Sequence, residues 1–146
     1  MKSTALLALL MFAGIAGCAE TRVYDVRVHN AADQPIMLWL YKDGGPYENG
    51  WKSPDDIAIE SPKDNEPIGG VLVLPGKTAS TGPLKGHFNS DTHAILTVYL
   101  GEHRFNELLA IGPRSPERKD VALKPGSSNF IVSDRDAALK IDPAHP

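Results

Sequence analysis

The 146-residue chain contains a single cysteine, Cys18, so no disulfide can form within it. Its fold must therefore be held together by burial of apolar side chains rather than by covalent cross-links. The chain also lacks a large excess of either charge, since 18 acidic and 15 basic residues give a formal net charge of −3. This mild acidity argues against the basic surface of a nucleic-acid-binding protein and against electrostatic attraction to anionic lipids.

Motifs that mark the common enzyme classes are absent. The chain has no Gly-x-Ser-x-Gly, no Ser-x-x-Lys, no His-Glu-x-x-His and no nucleotide-binding loop. The neighbours Ser90, Asp91 and His93 do not make a triad, because adjacency in sequence is not the geometry that a triad needs. We therefore expect no enzymatic activity and no cofactor.

Long apolar runs are missing as well. The longest one spans about a dozen residues, 5–16, whereas a helix needs roughly 20 residues to cross the hydrocarbon core of a membrane. This run follows Lys2 and ends in Ile15-Ala16-Gly17-Cys18. A positive residue, a short apolar stretch and small residues at the end are typical of a secretory signal peptide.

The segment Ile15-Ala16-Gly17-Cys18 resembles the lipobox of bacterial lipoproteins. The resemblance implies that residues 1–17 are removed and that Cys18 becomes a diacylated N-terminal residue, which anchors the protein to a membrane. In Gram-negative lipoproteins an aspartate at the next position favours retention in the inner membrane. Because Ala19 stands there, the resemblance implies delivery to the outer membrane of a Gram-negative bacterium. The mature chain would then hold no thiolate, which excludes a blue-copper site.

The 128 residues that follow Cys18 suffice for one ordinary domain. We divide the chain into a signal peptide (1–17), a lipidated cysteine with a short tether (18–22), a β-sandwich domain (23–142) and a frayed tail (143–146). Four extended tether residues reach only about 13 Å. The domain is therefore expected to lie against the membrane surface.

Alternating patterns predict most of the strands. Residues 24–29 alternate apolar and polar side chains, which is the period of a half-buried strand. Residues 36–41 are apolar on both faces, which indicates either a central strand covered on both sides or a strand with an aromatic exposed edge. The turn residues between these two strands predict a hairpin. Further strands are predicted over residues 70–74, 94–100, 118–123, 129–132 and 138–141.

Residues 103–111 fit either a strand with a bulge, which we favour, or a two-turn helix. Some seven to nine short strands predict an all-β fold, a single immunoglobulin-like β-sandwich of antiparallel strands, with one long loop that carries a short helix. Leu123-x-Pro125-Gly126, followed by Phe130, resembles the tyrosine-corner region of immunoglobulin-like and fibronectin-like sandwiches, with Phe130 in place of the tyrosine.

The long irregular segment, residues 43–59, is of a length that is typical of functional or disordered loops. Ser53 followed by Pro54 is a helix-start signal, and two aspartates after it suit the positive end of a helix, so we predict a helix over 54–59.

Two aromatic residues of this loop, Tyr47 and Trp51, are the candidate binding residues. They can form an aromatic recognition surface for a protein or a sugar. In the alternative, Trp51 closes one open end of the sandwich and Ile57 packs beneath it.

Histidines supply the candidate metal ligands. His87, Asp91 and His93 lie within one short segment, and His103 follows one strand later. Imidazole and carboxylate groups suit zinc or copper(II), although no fixed ligand motif accompanies them.

The sequence as a whole predicts a membrane-anchored lipoprotein whose β-sandwich is a non-catalytic binding module facing the periplasm or the cell exterior. Its partners would be the membrane, through Cys18, and an envelope protein or polysaccharide. Two alternatives stay open: a periplasmic metal-binding lipoprotein that uses His87, Asp91 and His93, and, with less support, an envelope hydrolase.

Overall fold

A computed structural model describes residues 18–60, 65–110 and 112–144. The predicted signal peptide, residues 1–17, lies outside the described residues. Two packed sheets with a core between them make up the described part, so the predicted all-β sandwich is confirmed. Within the described residues, no helix has the length and apolarity required to span a membrane.

Nine strands are described, the upper end of the predicted number. They are β1 (Glu20–Asn30), β2 (Ile36–Lys42), β3 (Val71–Val73), β4 (Thr78–Ser80), β5 (Leu84–Phe88), β6 (Ala94–Leu100), β7 (Arg118–Leu123), β8 (Gly126–Ser133) and β9 (Lys140–Pro143). Two short α-helices are α1 (Pro54–Glu60) and α2 (Phe105–Leu108), and 3-10 turns lie at Asn49–Trp51, Gly112–Arg114 and Arg135–Ala137. Of the strands, β4 and β5 were not predicted.

One sheet has five strands and the other four. In the five-stranded sheet, β1 pairs with β8 on one side and with both β4 and β5 on the other, and β9 lies beyond β8. The four-stranded sheet has the order β3-β2-β6-β7. Among the described pairs, β1 and β8 run parallel and the others antiparallel. The expectation of antiparallel pairing is thus wrong for this pair. Strand β7 ends at the same end of the sandwich at which β1 begins, and the turn at Lys124 then starts β8 beside the first half of β1, so that the two strands run in the same direction.

The predicted hairpin between the first two strands is also wrong, because β1 and β2 belong to different sheets. The turn at residues 31–35 carries the chain from one sheet to the other. The physical reason is burial, since Val26 and Val28 of β1 and Leu38 of β2 belong to the same core cluster between the sheets. A flat hairpin would have left these side chains on one surface.

Residues 103–111 contain the helix α2 rather than the favoured bulged strand. The Glu107 side chain accepts a hydrogen bond from the Arg104 backbone at 3.2 Å, which stabilises the first turn. Phe105 and Leu108, three residues apart, both pack against the outer face of the four-stranded sheet. The helical spacing of Phe105 and Leu108 was therefore the correct indication, and the flanking glycines were not evidence for a strand.

The two helices cover that outer face and create a second, smaller apolar cluster. Its buried members are Met37, Ala58, Ile68, Tyr99 and Phe105. β2 thus buries one face between the sheets and the other beneath the helices, which confirms the interpretation of residues 36–41 as a strand covered on both sides. Helix α1 is confirmed as well, and the Asp56 backbone N–H donates to Ser53 Oγ at 3.1 Å, as expected for an N-cap.

The sandwich has two ends, which we name by a residue at each. At the Cys18 end lie the start of β1, the ends of β2 and β5, and the loops 43–48 and 89–93; the pairs Glu20–Phe88 and Lys42–Ala94 define it. At the Asn30 end lie the turns 31–35 and 74–77. The Asn30 N–H, at the end of β1, donates to the Lys77 carbonyl of the second turn at 2.9 Å.

Strand pairing extends further towards both ends of the described chain than we predict from the sequence. Strand pairing begins at Glu20 rather than Val23, so only Ala19 separates Cys18 from β1. At the other terminus, β9 continues to Pro143, and the Ala144 N–H donates to the Asn129 carbonyl at 2.9 Å. The predicted frayed tail is therefore paired as far as residue 144, and residues 145–146 lie outside the described part.

Candidate functional site

The loop 43–48, which carries the candidate residue Tyr47, is fixed at its start by two residues that precede β6. Asp43 accepts a hydrogen bond from the His93 backbone N–H at 2.6 Å, and its other oxygen lies 3.0 Å from His93 Nδ1. The Thr92 hydroxyl donates to the Gly45 carbonyl at 2.7 Å. The first half of the loop is therefore held in one position.

The second half of the loop is fixed by Lys42, the last residue of β2. The Lys42 side chain is 2% exposed, and its Nζ donates to the Pro46 carbonyl at 2.5 Å, to Glu48 Oε2 at 2.5 Å and to the His87 carbonyl at 2.9 Å. The ammonium also lies 5.1 Å from the centre of the Phe88 ring. A buried ammonium is costly unless it is fully paired, and these three acceptors satisfy all three of its N–H groups.

Glu48 completes this arrangement. Its Oε1 lies 2.9 Å from His87 Nδ1, and its Oε2 accepts the His87 backbone N–H at 3.0 Å. Hydrogen bonds from His87 and Lys42 lower the pKa of Glu48 to about 2. Glu48 is thus held as an anion that supports the loop, which is the opposite of the raised pKa that a catalytic general acid needs.

Trp51 is buried at 4% exposure, so its ring is not offered to a partner. Its Nε1 donates to the Lys85 carbonyl at 3.0 Å, and its ring meets those of Tyr24 and Phe88 at centroid distances of 5.7 and 5.1 Å. The hypothesis of a recognition surface is wrong for Trp51, which packs between the two sheets because a large ring gains most by burial. Ile57 does not pack beneath it but belongs to the cluster under the helices.

Tyr47 behaves differently, since it is 87% exposed. Its two neighbours in the chain, Pro46 and Glu48, both accept hydrogen bonds from Lys42. The structure therefore presents an exposed aromatic ring on a fixed backbone. The binding role predicted for Tyr47 stays a prediction.

A cleft of about 580 Å³ opens beside Tyr47, between the loop and helix α1. Its charged side chains are mostly acidic, and its two lysines are both in ion pairs: Lys42 with Glu48, and Lys52 with Glu60. The Trp39 side chain fixes the backbone of this region by donating to the Lys52 carbonyl at 2.9 Å. Such a cleft can receive a polar or aromatic group.

The predicted metal site does not form. Across residues 18–60, 65–110 and 112–144, no three histidine, cysteine, aspartate or glutamate side chains are arranged to hold a metal ion. His87 pairs with Glu48 and His93 with Asp43 at the Cys18 end, whereas His103 contacts Glu107 at 2.5 Å and the Leu100 carbonyl at 2.6 Å at the other end of β6.

The structure does not bring the four predicted ligands together, because His103 lies at the opposite end of the sandwich from His87 and His93. Asp91, the fourth proposed ligand, lies in the exposed turn between β5 and β6. Its neighbour Thr92 is the residue of this turn that binds the loop.

Two residues that matter here escaped the sequence prediction. Lys42 follows Ile36, Leu38 and Leu40 at two-residue spacing, so the alternation places a lysine in the core-facing row of β2. Gly86 occupies the same kind of position in β5, where a Cβ atom would lie 2.5 Å from Trp51 Nε1. A charged residue and a glycine in inward rows were the available signals.

Comparison with known proteins gives similar structures but no family. No protein-family model matches the chain, and no curated protein matches it. A crystal structure of the type VI secretion lipoprotein TssJ1 from Pseudomonas aeruginosa is similar at 14% identity, with a TM-score of 0.39, over 87% of this chain and 99% of that one. Serratia marcescens Lip, a membrane-bound component of the type VI secretion system, is similar at 10% identity, with a TM-score of 0.37, over 85% of this chain and 99% of that one. At these values neither likeness bears on what this chain does.

Proposed function

We propose that the chain is a lipid-anchored protein of the bacterial envelope whose β-sandwich is a non-catalytic module for binding an envelope partner. The observation that carries the proposal is the distance between the anchor residue and the domain. Cys18 is exposed, and β1 begins at Glu20, two residues later. Two extended residues reach only about 7 Å, so a lipid on Cys18 would hold the Cys18 end against a membrane.

The same geometry supports a direction for partner binding. Strand β1 has 11 residues and, at 3.2–3.4 Å per residue, a length of about 35 Å. The Asn30 end would thus project about 35 Å above the membrane surface, and its turns would be open to a protein or a polysaccharide. Glu48, which His87 and Lys42 hold as an anion, is not suited to act as the general acid of a hydrolase.

The anchor is tested by changing Cys18. Wild-type protein is expected in the outer-membrane fraction of a Gram-negative host, with a mature N-terminus whose mass corresponds to a diacylated cysteine. Cys18→Ser is expected to be soluble or uncleaved. Ala19→Asp is the matched control, which should keep the lipid but move the protein to the inner membrane. Unmodified Cys18 in the wild-type protein would overturn the proposal.

The partner is tested by photo-cross-linking from the exposed positions Asp33 and Lys77 at the Asn30 end, with Asp91 at the Cys18 end as the matched control. The proposal expects one protein or glycan to be captured from Asp33 and Lys77 but not from Asp91, and expects this product to require Cys18. Mass spectrometry would tell whether a captured protein belongs to a type VI secretion system, as the two similar structures do, or to another assembly. Capture from Asp91 alone would contradict the proposed direction.

A further inference from the structure

We infer that the Cys18 end is a membrane-contact surface and that the Tyr47 side chain inserts at the level of the lipid headgroups. This inference rests on the proposed lipid anchor and assigns the bilayer as the occupant of the exposed Tyr47 ring. It is carried by position, by the exposure and rigidity of Tyr47, and by the charge balance around it.

Position is given by a short series of contacts from the anchor residue to Tyr47. Thr21, three residues after Cys18, pairs with His87 on the neighbouring strand, at a spacing of about 5 Å. His87 in turn binds Glu48, the residue next to Tyr47, through both its backbone and its ring. Tyr47 therefore lies at the end of the domain that a lipid on Cys18 would bring to the membrane.

Exposure and rigidity suit a membrane interface. A tyrosine has an apolar ring body and a polar hydroxyl, and such side chains are favoured at the headgroup level of bilayers. Tyr47 is 87% exposed in the isolated domain, so water rather than protein surrounds its ring. Since Lys42 already fixes the backbone on both sides of Tyr47, little conformational entropy would be lost when the ring enters the interface.

Charge at the Cys18 end is balanced. Lys42 and Arg22 form ion pairs with Glu48 and Glu20, and the rings of His87 and His93 contact Glu48 and Asp43. On the adjacent turns, Asp91 and Lys124 add one charge of each sign. The cleft beside Tyr47 adds Asp56 and Glu60, and its two lysines are paired, Lys42 with Glu48 and Lys52 with Glu60. The surface therefore has no basic patch that needs anionic lipid. Contact is expected on zwitterionic bilayers and should not weaken with added salt.

The test places a fluorescent label near Tyr47 while keeping the ring. Acylation blocks Cys18, so an introduced cysteine is the only thiol of the mature chain. Asn49→Cys and Lys77→Cys, both at exposed positions, are labelled with an environment-sensitive dye and reconstituted in phosphatidylcholine vesicles that contain headgroup-level spin-labelled lipid. The label at 49 should be quenched several-fold more strongly than the label at 77, and equally at low and high salt.

Variants of Tyr47 in the Asn49→Cys background isolate the ring. Tyr47→Ala should reduce the quenching although the protein stays on the vesicles, and Tyr47→Trp should keep it, because tryptophan also favours the interface. Equal quenching at positions 49 and 77, or no effect of Tyr47→Ala, in vesicle-bound protein would overturn the inference and leave the anchor intact. A protein cross-linked from position 47 in cells would overturn it in favour of a protein partner. Protein that is not acylated and not on the vesicles would instead overturn the proposed function.

Discussion

The two ends of the sandwich are each held by one buried polar residue, but the residues differ in kind. At the Asn30 end, the fully buried Asn30 amide donates to the carbonyls of Gln34 and Val73 at 2.8 and 2.9 Å and accepts the Ala32 N–H at 2.9 Å. At the Cys18 end, the buried ammonium of Lys42 does the same work with two carbonyls and the Glu48 carboxylate.

The difference shows two ways to order a loop without a disulfide, and it predicts that only one of them is sensitive to pH. A neutral amide satisfies its partners at any ordinary pH. An ammonium buried at 2% exposure needs an ionised carboxylate beside it. We therefore expect the Asn30 end to be insensitive to acid and the Cys18 end, with its loop 43–48, to loosen first as the pH falls.

The largest effect is expected from the aromatic residue that fills the Cys18 end. Trp51→Ala removes a buried ring that contacts Tyr24 and Phe88, and it should lower the free energy of unfolding by about 4 kcal/mol. Urea unfolding measures the loss. The control, Tyr47→Ala, removes a ring that is exposed and should change stability by less than about 0.5 kcal/mol. Similar losses from both variants would contradict the assignment of Trp51 to the core and Tyr47 to the surface.

A smaller loss is expected at the opposite end. Asn30→Ala leaves the carbonyls of Gln34 and Val73 and the Ala32 N–H without their amide partner, and should cost about 3 kcal/mol. Asn129→Ala, on an exposed position of β8, is the matched control and should be nearly neutral. If Asn30→Ala were as mild as its control, the Asn30 end would not depend on this amide.

The ionic counterpart is expected to cost less. Lys42→Met keeps most of the side-chain volume and removes the charge, which leaves Glu48 with its His87 contacts and partial exposure to water. We expect a loss of about 2 kcal/mol, against nearly none for Lys77→Met on the exposed turn. Hydrogen exchange should show the loss confined to residues 43–48; uniform destabilisation of both ends would contradict the comparison.

The smallest effect is the acid dependence of the Glu48 contribution. Because the folded-state pKa of Glu48 is lowered to about 2 by His87 and Lys42, its ionised form favours folding at pH values above the ordinary range of a glutamate. That stabilisation is lost as the pH falls from about 5 towards 2. The stability difference between the wild type and Glu48→Gln should therefore shrink over this interval.

Glu102→Gln, a change at an exposed glutamate, is the control for that titration. Its difference from the wild type should be small, because the changed side chain is exposed. A wild-type advantage over Glu48→Gln that persists unchanged at the lowest pH would show that the carboxylate charge does not support the loop.

Local sequence patterns predicted the sandwich class and several of its elements, but they did not predict which strands pair across long sequence distances. The two apolar faces of residues 36–41 and the Ser53-Pro54 helix start were sufficient to predict β2 and α1. The hairpin was mispredicted because nothing within residues 24–41 shows that their apolar faces are buried against each other from separate sheets. The parallel pairing of β1 with β8 joins segments about 100 residues apart, which no local pattern can indicate.

The candidate site was also only partly predictable, because its residues were identifiable from local sequence whereas their contacts are non-local. Tyr47 and Trp51 were found as the aromatic residues of an irregular loop. Their opposite burial was not predictable from the loop, because the space for the Trp51 ring is left by Gly86, 35 residues further along the chain. The histidines looked like a metal site because sequence distance does not reveal that each faces its own carboxylate. Lys42 was readable from alternation, since a lysine in an inward row must find partners.

Hydrogen exchange on the membrane tests the central claim, that the Cys18 end faces the bilayer and the Asn30 end does not. Amide exchange in acylated protein on phosphatidylcholine vesicles would be compared with exchange in lipid-free Cys18→Ser protein. We predict slower exchange on vesicles at residues 43–48 and 89–93 and unchanged exchange at residues 31–35 and 74–77. Unchanged exchange at both ends, or slowing confined to the Asn30 end, would contradict the account.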